Sequence, residues 1–333
     1  MLEGWQIGVV IPARNEEQHI QAVLEGLPGY VDMAVVIDDG STDRTAMVAK
    51  ATKTSCQKII LSGGGYGVGA SIDRGHRHLL KSFDAPFVSV VMAGDGQMNP
   101  RDMMGLIAPI LQGRADHVKG NRSLHPEGFK GMPLHRKRAS RILSLFTTLA
   151  AGTQISDPQC GYTATSVDVL KAWDWNRSWP GYGYPNFWLI NLARHGYRVA
   201  EVPVESIYRN ESSGIKPLKF FASVGWMMAV EHHRRNLTWL FSRNVTPHTI
   251  LAMISYVLGW SALLPFVSND LEVELLSRGV PAIALCCAFW AIAHLFDRSA
   301  TRVHRALVHH AKTRPTQEAS YSACQAHSCG AQA

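Results

Sequence analysis

The sequence has no cysteine pattern of the kind found in a disulfide framework or a zinc site. Its six cysteines include no CxxC pair and no regular spacing, which is consistent with a reducing compartment. No GxxxxGKS/T segment is present, so a P-loop is excluded. The N-terminal stretch MLEGWQIGVVIPARNEE lacks a basic segment followed by an apolar one, and no signal peptide is predicted.

Charged residues are also few, and their balance is uneven. Of the 333 residues, 18% are charged and 46% are hydrophobic, as expected of a chain that folds around a core. The formal net charge of +7 indicates an anionic neighbour, such as nucleic acid, anionic lipid or a phosphorylated substrate. The length allows one large domain of about 200–250 residues and a smaller second part.

Short apolar runs alternate with helical patterns over residues 1–215. The runs are IGVVIPA, MAVVID, KIILS and FVSVVMA, and an acidic or glycine-rich turn follows each of them. This alternation predicts an α/β fold with a Rossmann-like, mostly parallel sheet and helices on both faces. Because such sheets bind ligands at the carboxyl ends of their strands, we expect the turns to gather at one edge.

The composition changes after residue 215. Residues 216–247 predict one or two amphipathic helices, and two apolar runs follow at 248–267 and 279–296. Each run suits a bilayer core in length, with two buried core helices as the alternative. Basic flanks and an acidic connecting loop favour two membrane spans with both ends in the cytoplasm. The predicted domains are 1–215, the cytoplasmic α/β domain; 216–247, the juxtamembrane helices; 248–297, the spans; and 298–333, a basic tail that is disordered from about residue 315.

Three of the turns carry side chains suited to a charged ligand. Asp38 and Asp39 end the second run and suit hydrogen bonds to a base or to ribose, with the loop 12–17 completing a nucleotide pocket. A capped helix start is the alternative there. The glycine-rich stretch SGGGYGVGAS allows backbone N–H groups to approach an anion, which is a weak signal by itself. Asp95 and Gln97 offer hard oxygen ligands for Mg²⁺ or Mn²⁺.

Six motifs in order resemble those of glycosyltransferase family 2, and of its polyprenyl-phosphate and dolichyl-phosphate glycosyltransferases in particular. They are IPARNEE, VVIDDGSTD, GYGVGASIDRG, MAGDGQMNP, GNRSLHPEGFKGMPLHRKRAS and SDPQCGYTATS, within residues 6–215. The resemblance implies a GT-A fold, a nucleotide-diphosphate sugar donor, a divalent cation and inversion at the anomeric carbon. The family usually has D-x-D-x-Q after the fourth strand, but Ala93 stands at the first acid here. Losing that carboxylate weakens metal binding or marks a non-catalytic relative.

The resemblance also implies roles for individual residues. Arg122, Arg136 and Ser140 would contact phosphates, and Asp157 would lie near the donor sugar. Arg209 and Lys216 belong either to a lid over the phosphates or to a linker. The candidate catalytic residues are Asp95, Arg122, Arg136 and Asp157, and the metal ligands are Asp95 and Gln97. The candidate substrate-binding residues are Pro12, Ala13, Arg14, Asn15, Glu16, Asp38, Asp39, Gly67, Gly94, Arg122, Arg136, Ser140, Arg209 and Lys216.

The expected reaction is sugar transfer from a UDP- or GDP-sugar to a polyprenyl phosphate at the cytoplasmic membrane. A phosphomonoester is largely a dianion at neutral pH and can attack without a general base, so Asp157 would orient the reactants. A processive polysaccharide synthase should carry QxxRW, which is absent, and a silent nucleotide-sugar-binding scaffold is the other alternative. No separate basic face is left for nucleic acid. The sequence leaves open which sugar is transferred, whether the chain forms a homo-oligomer and whether a flippase partner acts downstream.

Overall fold

The four apolar runs form neighbouring strands at one side of a seven-stranded sheet in the computed structural model of the chain. The structure describes residues 2–128, 132, 134–207, 217–243, 245–263 and 279–329, without the side chains of His135, Arg136, Pro217 and residues 308–329. The chain divides into two compact units. Unit 1 comprises Met1–Leu192 and Tyr197–Glu231, and unit 2 comprises Ala193–Gly196 and His232–Ala333.

The sheet of unit 1 is mixed, with one antiparallel strand inside a parallel arrangement. Its strands are β1 (Gln6–Ala13), β2 (Met33–Asp38), β3 (Gln57–Ser62), β4 (Phe87–Val91), β5 (His117–Asn121), β6 (Thr163–Ser166) and β7 (Val199–Pro203), in the spatial order β3-β2-β1-β4-β6-β5-β7. Only β6 runs antiparallel to its neighbours, β4 and β5. The prediction of a mostly parallel α/β sheet is confirmed.

Helices connect the strands and cover the sheet. They are α1 (Ile20–Glu25), α2 (Thr45–Ala51), α3 (Val68–Ser82), α4 (Met103–Leu111), α5 (Leu134–Ala151), α6 (Val167–Ala172), α7 (Tyr184–Arg194) and α8 (Pro217–Leu240), whose last residues belong to unit 2. Successive side chains of β1 point to opposite faces of the sheet, and this alternation decides which helices pack on each face. Ile7, Val9 and Ile11 join one apolar cluster with α1 and α4, whereas Gly8 and Val10 face α3. Helices therefore lie on both faces, as the sequence predicts.

Unit 2 is helical, and a buried polar network joins its elements. After α8 come α9 (Pro247–Ser261) and α10 (Val280–Cys329). Arg235 on α8 lies 2.6 Å from Asp297 on α10, and both side chains are fully buried. The hydroxyl of Tyr256 on α9 lies 2.7 Å from His232 Nε2 and 3.2 Å from His294 Nδ1. The guanidinium and the carboxylate carry opposite charges, so each compensates for the burial of the other.

One of the two predicted membrane spans has a matching helix. Among the residues that the structure describes, one helical segment, Val280–Leu307, is long and apolar enough to cross a membrane by length and composition. An 18-residue window within it has a mean hydropathy of 1.7. The first predicted span begins as α9, which has 15 residues, and its end lies outside the described residues. Two spans therefore stay a prediction.

The end of the chain differs from the sequence prediction. Disorder is predicted from about residue 315, but α10 continues to Cys329. The tail is polar and cannot form a core of its own, which favours disorder in a sequence analysis. It also contains several alanines and glutamines, which are good helix formers and extend a helix that is already nucleated.

Two glycines test how tightly α3 packs on β1. A Cβ at Gly75 would lie 2.3 Å from Val10 Cγ1, whereas a Cβ at Gly105, on an exposed face of α4, would meet nothing within 4 Å. We expect Gly75→Ala to lower the free energy of unfolding by roughly 1–3 kcal/mol through overpacking. Gly105→Ala should raise it by about 0.5–1 kcal/mol. Denaturant unfolding in detergent measures both, and equal effects would contradict the packing described.

Candidate active site

The loop after β1 and the turn after β2 are bound to each other, as expected at the carboxyl edge of a parallel sheet. The amide of Asn15 donates to Ser41 Oγ at 3.0 Å, and Asn15 Oδ1 accepts from the amide of Thr42 at 2.8 Å. The amide of Glu16 donates to Thr45 Oγ1 at 2.7 Å. Asn15 has a φ of 59°, a left-handed conformation that side-chain hydrogen bonds of this type compensate. The two segments thus form one rigid wall.

Asp39 has a local role that the sequence does not reveal. Its carboxylate accepts hydrogen bonds from the amides of Gly65 and Tyr66, both at 3.0 Å, and of Gly67 at 2.9 Å. A Cβ at Gly64 would lie 2.6 Å from Asp39 Oδ1, so the loop needs glycine there. The sequence predicts that these amides approach a ligand anion, but the anion they bind here is Asp39 itself. The carboxylate holds the glycine-rich loop against the end of β2.

The turn after β4 packs directly on the end of β1. The amide of Gly94 donates to Pro12 O at 3.0 Å, and a Cβ at Gly94 would lie 2.9 Å from the Ala13 Cβ. The amide of Gln97 donates to Asp95 Oδ1 at 3.0 Å, which closes the turn. Asp95 and Gln97 are both half-buried. Their carboxylate and amide oxygens are the ligand types that Mg²⁺ and Mn²⁺ prefer, so this donor set fits such an ion.

A buried ion pair joins the end of β5 to the loop before β6. Arg122 Nε and Nη2 donate to Asp157 Oδ2 and Oδ1 at 2.7 and 2.8 Å, and the Arg122 amide adds a third bond at 3.0 Å. The Asp157 side chain is fully buried, whereas that of Arg122 is 13% exposed. Burial alone would raise the pKa of Asp157, but the bonds to Arg122 and its charge lower the pKa below the usual value. The Asp157 carboxylate is therefore ionised at neutral pH and is held by Arg122.

Further hydrogen bonds from β7 and β5 fix this ion pair. Glu201 on β7 accepts from the amides of Ser156 and Asp157 at 3.0 and 3.3 Å. Glu201 also accepts from Asn121 Nδ2 at 3.0 Å. The loop that carries Asp157 is thus held to two neighbouring strands, and Arg122 is held in one orientation beside it.

A cavity of about 480 Å³ opens beside Gln97 and Arg122. Its volume lies within the range of small-molecule sites. The polar lining residues are Gln97, His117, Lys119, Arg122, Ser140, Gln159, Thr163 and Thr165, and the remainder are Val68, Ile72, Met132, Ala139, Leu143, Gly161, Tyr182, Tyr184, Pro185, Trp188, Leu189, Phe220 and Phe221. Charged groups thus share one cavity with a broad apolar and aromatic wall.

The family model for glycosyl transferase family 2 matches residues 8–173. The UDP-N-acetylglucosamine–dolichyl-phosphate N-acetylglucosaminyltransferase of Methanococcus voltae is 30% identical over an alignment of length 222 that covers 62% of this chain and 87% of the relative. This chain belongs to glycosyltransferase family 2. The undecaprenyl-phosphate mannosyltransferase of Micrococcus luteus is 29% identical over an alignment of length 206 that covers 60% of this chain and 83% of the relative.

The fold of this glycosyltransferase also matches a solved structure. Glucosyl-3-phosphoglycerate synthase from Mycobacterium tuberculosis, in complex with phosphoglyceric acid, has a TM-score of 0.50 and 24% identity, over 70% of this chain and 80% of that one. The GT-A fold that the motifs imply is confirmed as an α/β GT-A-like mixed sheet with helices.

The structure gathers most of the predicted residues of the glycosyltransferase at the carboxyl edge of the sheet. Pro12 and Ala13 pair with Ile37 and Asp38 at the ends of β1 and β2. Arg122 and Ser140 line the cavity with Gln97. Asp38 accepts from the amide of Ser41 at 3.1 Å, and Arg14 is exposed. The side chain of Arg136 and the whole of Arg209 and Lys216 lie outside the described residues.

Several lining residues were missed by the sequence analysis. His117 and Lys119 interrupt a short β-strand with polar side chains at alternate positions, and Thr163 and Thr165 do the same on the neighbouring strand. Two polar residues at a spacing of two point to the same face of a strand. That spacing was the available signal, but only the antiparallel pairing of β5 with β6 brings the two strands together.

Replacing Asp157 tests the ion pair through its pH dependence. Since folding lowers the pKa of this carboxyl, its stabilisation is fully present above the unfolded-state value of about 3.9 and is lost as the pH falls through the folded-state value. Asp157→Asn should lower the free energy of unfolding by roughly 3–5 kcal/mol at pH 7, with a smaller difference below about pH 4. Unfolding titrations from pH 7 to pH 3 measure this difference.

The control for this prediction is Asp84→Asn, which removes an exposed carboxylate. It should change the free energy of unfolding by less than about 0.5 kcal/mol. A difference between wild type and Asp157→Asn that stays constant down to pH 3 would contradict the ionised pair.

Proposed function

We propose that this glycosyltransferase transfers a sugar from a UDP- or GDP-sugar to a polyprenyl phosphate, with inversion at the anomeric carbon. The proposal rests mainly on the cavity, in which Arg122 and Gln97 share one space with apolar and aromatic side chains. A lipid phosphate and a nucleotide sugar together need such a combination. Two relatives named for dolichyl-phosphate and undecaprenyl-phosphate transfer support it.

In this proposal the donor lies along the carboxyl edge of the sheet. The loop 12–16, Asp38 and the glycine-rich loop that Asp39 holds would surround the nucleoside. Gly67 belongs to that loop, and Gly94 lets the turn after β4 pack against Ala13 at the same edge. Asp95 and Gln97 would hold Mg²⁺ or Mn²⁺, which supplies positive charge against the donor diphosphate when it is bound. Ala93 leaves this donor set with one carboxylate fewer, and water molecules complete the coordination that Mg²⁺ requires.

The acceptor phosphate would be the nucleophile. Its second pKa is near 6, so it is largely a dianion at neutral pH and needs no proton removed. Arg122, held by Asp157, would bind a phosphate through the part of its guanidinium that faces the cavity. Ser140, Arg136, Arg209 and Lys216 are proposed as further phosphate contacts. An oxygen of the acceptor phosphate forms the bond to the anomeric carbon, and the nucleoside diphosphate leaves.

Membrane anchoring belongs to the same proposal. The helical segment Val280–Leu307 and the apolar run that begins with α9 would hold the chain in the inner membrane. Arg298, Arg302 and Arg305 follow the second apolar run, which places the α/β domain in the cytoplasm by the positive-inside rule. The α/β domain would then work where the phosphate of a polyprenyl phosphate lies.

The test is transfer of radiolabelled sugar from a panel of UDP- and GDP-sugars to undecaprenyl phosphate, in membranes that contain this protein. We expect label in the lipid phase with one donor, and its loss when EDTA removes divalent ions. Membranes that carry Arg122→Lys serve as the control. This variant keeps a cation beside Asp157 but lacks the paired donors that a guanidinium offers a phosphate, so it should lose about tenfold in rate. Binding of nucleotide sugar without any transfer would instead indicate a catalytically inactive scaffold. The absence of a carboxylate at Ala93 favours that alternative.

The missing carboxylate at position 93 gives a separate prediction. Ala93→Asp should lower the Mn²⁺ concentration for half-maximal transfer by roughly tenfold, a change equivalent to about 1.4 kcal/mol. Ala93→Asn has a side chain of similar size but no charge and should leave that concentration within about twofold. Mn²⁺ titrations of the initial rate measure both. Equal responses of the two variants would show that position 93 does not face the metal.

A further inference from the structure

Four polar side chains form the floor of the cavity, and we call them the polar floor. They are His117 and Lys119 on β5 and Thr163 and Thr165 on β6, and all four line the cavity. The antiparallel register places His117 opposite Thr165 and Lys119 opposite Thr163. The polar floor therefore consists of two cross-strand pairs on the paired strands β5 and β6, and not on a loop.

The polar floor is deeply buried. Lys119 and Thr165 are fully inaccessible to solvent, His117 is 3% exposed and Thr163 is 7% exposed. His117 Nδ1 lies 2.9 Å from Thr165 Oγ1, and Lys119 Nζ donates to Cys160 O at 2.6 Å. Burial lowers the pKa of His117 to about 3, so its imidazole is neutral. With Nδ1 engaged by Thr165, a bond from His117 to a ligand would use Nε2.

An aromatic wall adjoins the polar floor. Trp188 stacks on Trp173 with ring centroids 3.8 Å apart and an interplanar angle of 15°, which fixes the indole in place. Tyr184 lies beside it, with ring centroids 5.4 Å apart. Trp188 and Tyr184 both line the cavity. Held rings and buried hydrogen-bonding groups on adjacent sides suit a ligand with an apolar face and several hydroxyl groups.

We propose that the polar floor is the subsite that recognises the hydroxyl groups of the transferred sugar, with Trp188 and Tyr184 against one face of its ring. This inference rests on the proposed function, because it takes the donor diphosphate to lie at the Gln97 and Arg122 end of the same cavity. The pyranose attached to that diphosphate then extends inward to the floor. His117 and Thr163, which have exposed surface, would be specificity-determining residues. Thr165 and Lys119 would be positioning residues, because Thr165 holds His117 and Lys119 lies opposite Thr163.

A prenyl chain in this part of the cavity is the competing occupant. Isoprene units have no hydrogen-bonding groups, so they would offer no partner to the atoms of the floor that are not already bonded within it, such as His117 Nε2 and Thr163 Oγ1. A buried polar atom without a partner costs about 1–3 kcal/mol. A hexose can pair with such atoms, and a site built to bind a hydroxyl discriminates strongly against a ligand without it. The chemistry of the floor therefore favours the sugar.

The test compares the binding of nucleoside diphosphates with the binding of their sugar conjugates. Isothermal titration of the full chain in detergent with UDP, UDP-glucose, UDP-N-acetylglucosamine, GDP and GDP-mannose gives, for each conjugate, the affinity gained from the sugar. Wild type should bind one conjugate at least tenfold more tightly than the matching diphosphate. Thr163→Val and Thr165→Val should each lower that ratio at least fivefold and leave the affinity for the diphosphate within twofold.

Ser89→Ala is the matched control. Ser89 is a fully buried hydroxyl on β4 opposite Thr165, and it lies 2.8 Å from His76 Nδ1, as Thr165 lies beside His117. It is absent from the lining of the cavity. The same loss of a histidine partner should therefore leave the sugar-dependent ratio unchanged. If Thr165→Val fails to fold because His117 loses its partner, Thr163→Val and Lys119→Met carry the test.

Three results would overturn the inference. They are a wild-type ratio near one for every conjugate, an unchanged ratio in all the floor variants, and floor variants that raise only the KM for undecaprenyl phosphate. The last result would assign the cavity to the acceptor chain. Binding of the conjugates needs no acceptor. A failure of transfer to polyprenyl phosphate would therefore contradict the proposed function, whereas the sugar subsite is tested separately by the binding ratios.

Discussion

The site depends on one buried ion pair. Asp157 has no contact with solvent and binds the guanidinium and the amide of Arg122 through three hydrogen bonds. Removing a charge from water costs several kcal/mol, and this cost is recovered only with a well-aligned partner. Glu201 on β7 supports the loop that carries Asp157, so three segments of the chain must be in place before the pair can form. The pair can therefore form only when the β5–β7 half of the sheet is folded. It also orients the guanidinium that lines the cavity.

The two halves of the sheet together explain how one fold can bind two unlike ligands. The carboxyl ends of β1, β2 and β4 present polar turns, which suit a nucleotide and its phosphates. The antiparallel insertion of β6 adds a second surface, on which polar pairs lie beneath aromatic side chains from α7. Arg122 and Gln97 lie where these two surfaces share the cavity. In the proposed reaction the diphosphate leaves on one side of the anomeric carbon and the lipid phosphate attacks from the other, as inversion requires.

The sequence predicts the first half of the site better than the second. Apolar runs followed by polar turns identify β1 to β4 and place their turns at one edge, because parallel strands share a direction. The partner of Asp39 could not be predicted in this way, since its bonds to Gly65, Tyr66 and Gly67 depend on a loop 26–28 residues away. The polar floor depends on the register of β5 against β6, and over 40 residues separate those strands. A one-residue slip would turn Lys119 to the other face.

The central claim is that a phosphate oxygen of a polyprenyl phosphate, and not a hydroxyl activated by a protein base, receives the sugar. The most direct measurement compares transfer to a polyprenyl phosphate with transfer to the polyprenol of the same chain length, in the same detergent at pH 7. The account predicts transfer to the phosphate alone, because Asp157 is ionised but bound to Arg122 and so is not available as a base for an alcohol. Comparable transfer to the alcohol would contradict it and would identify a glycolipid synthase with a general base of its own.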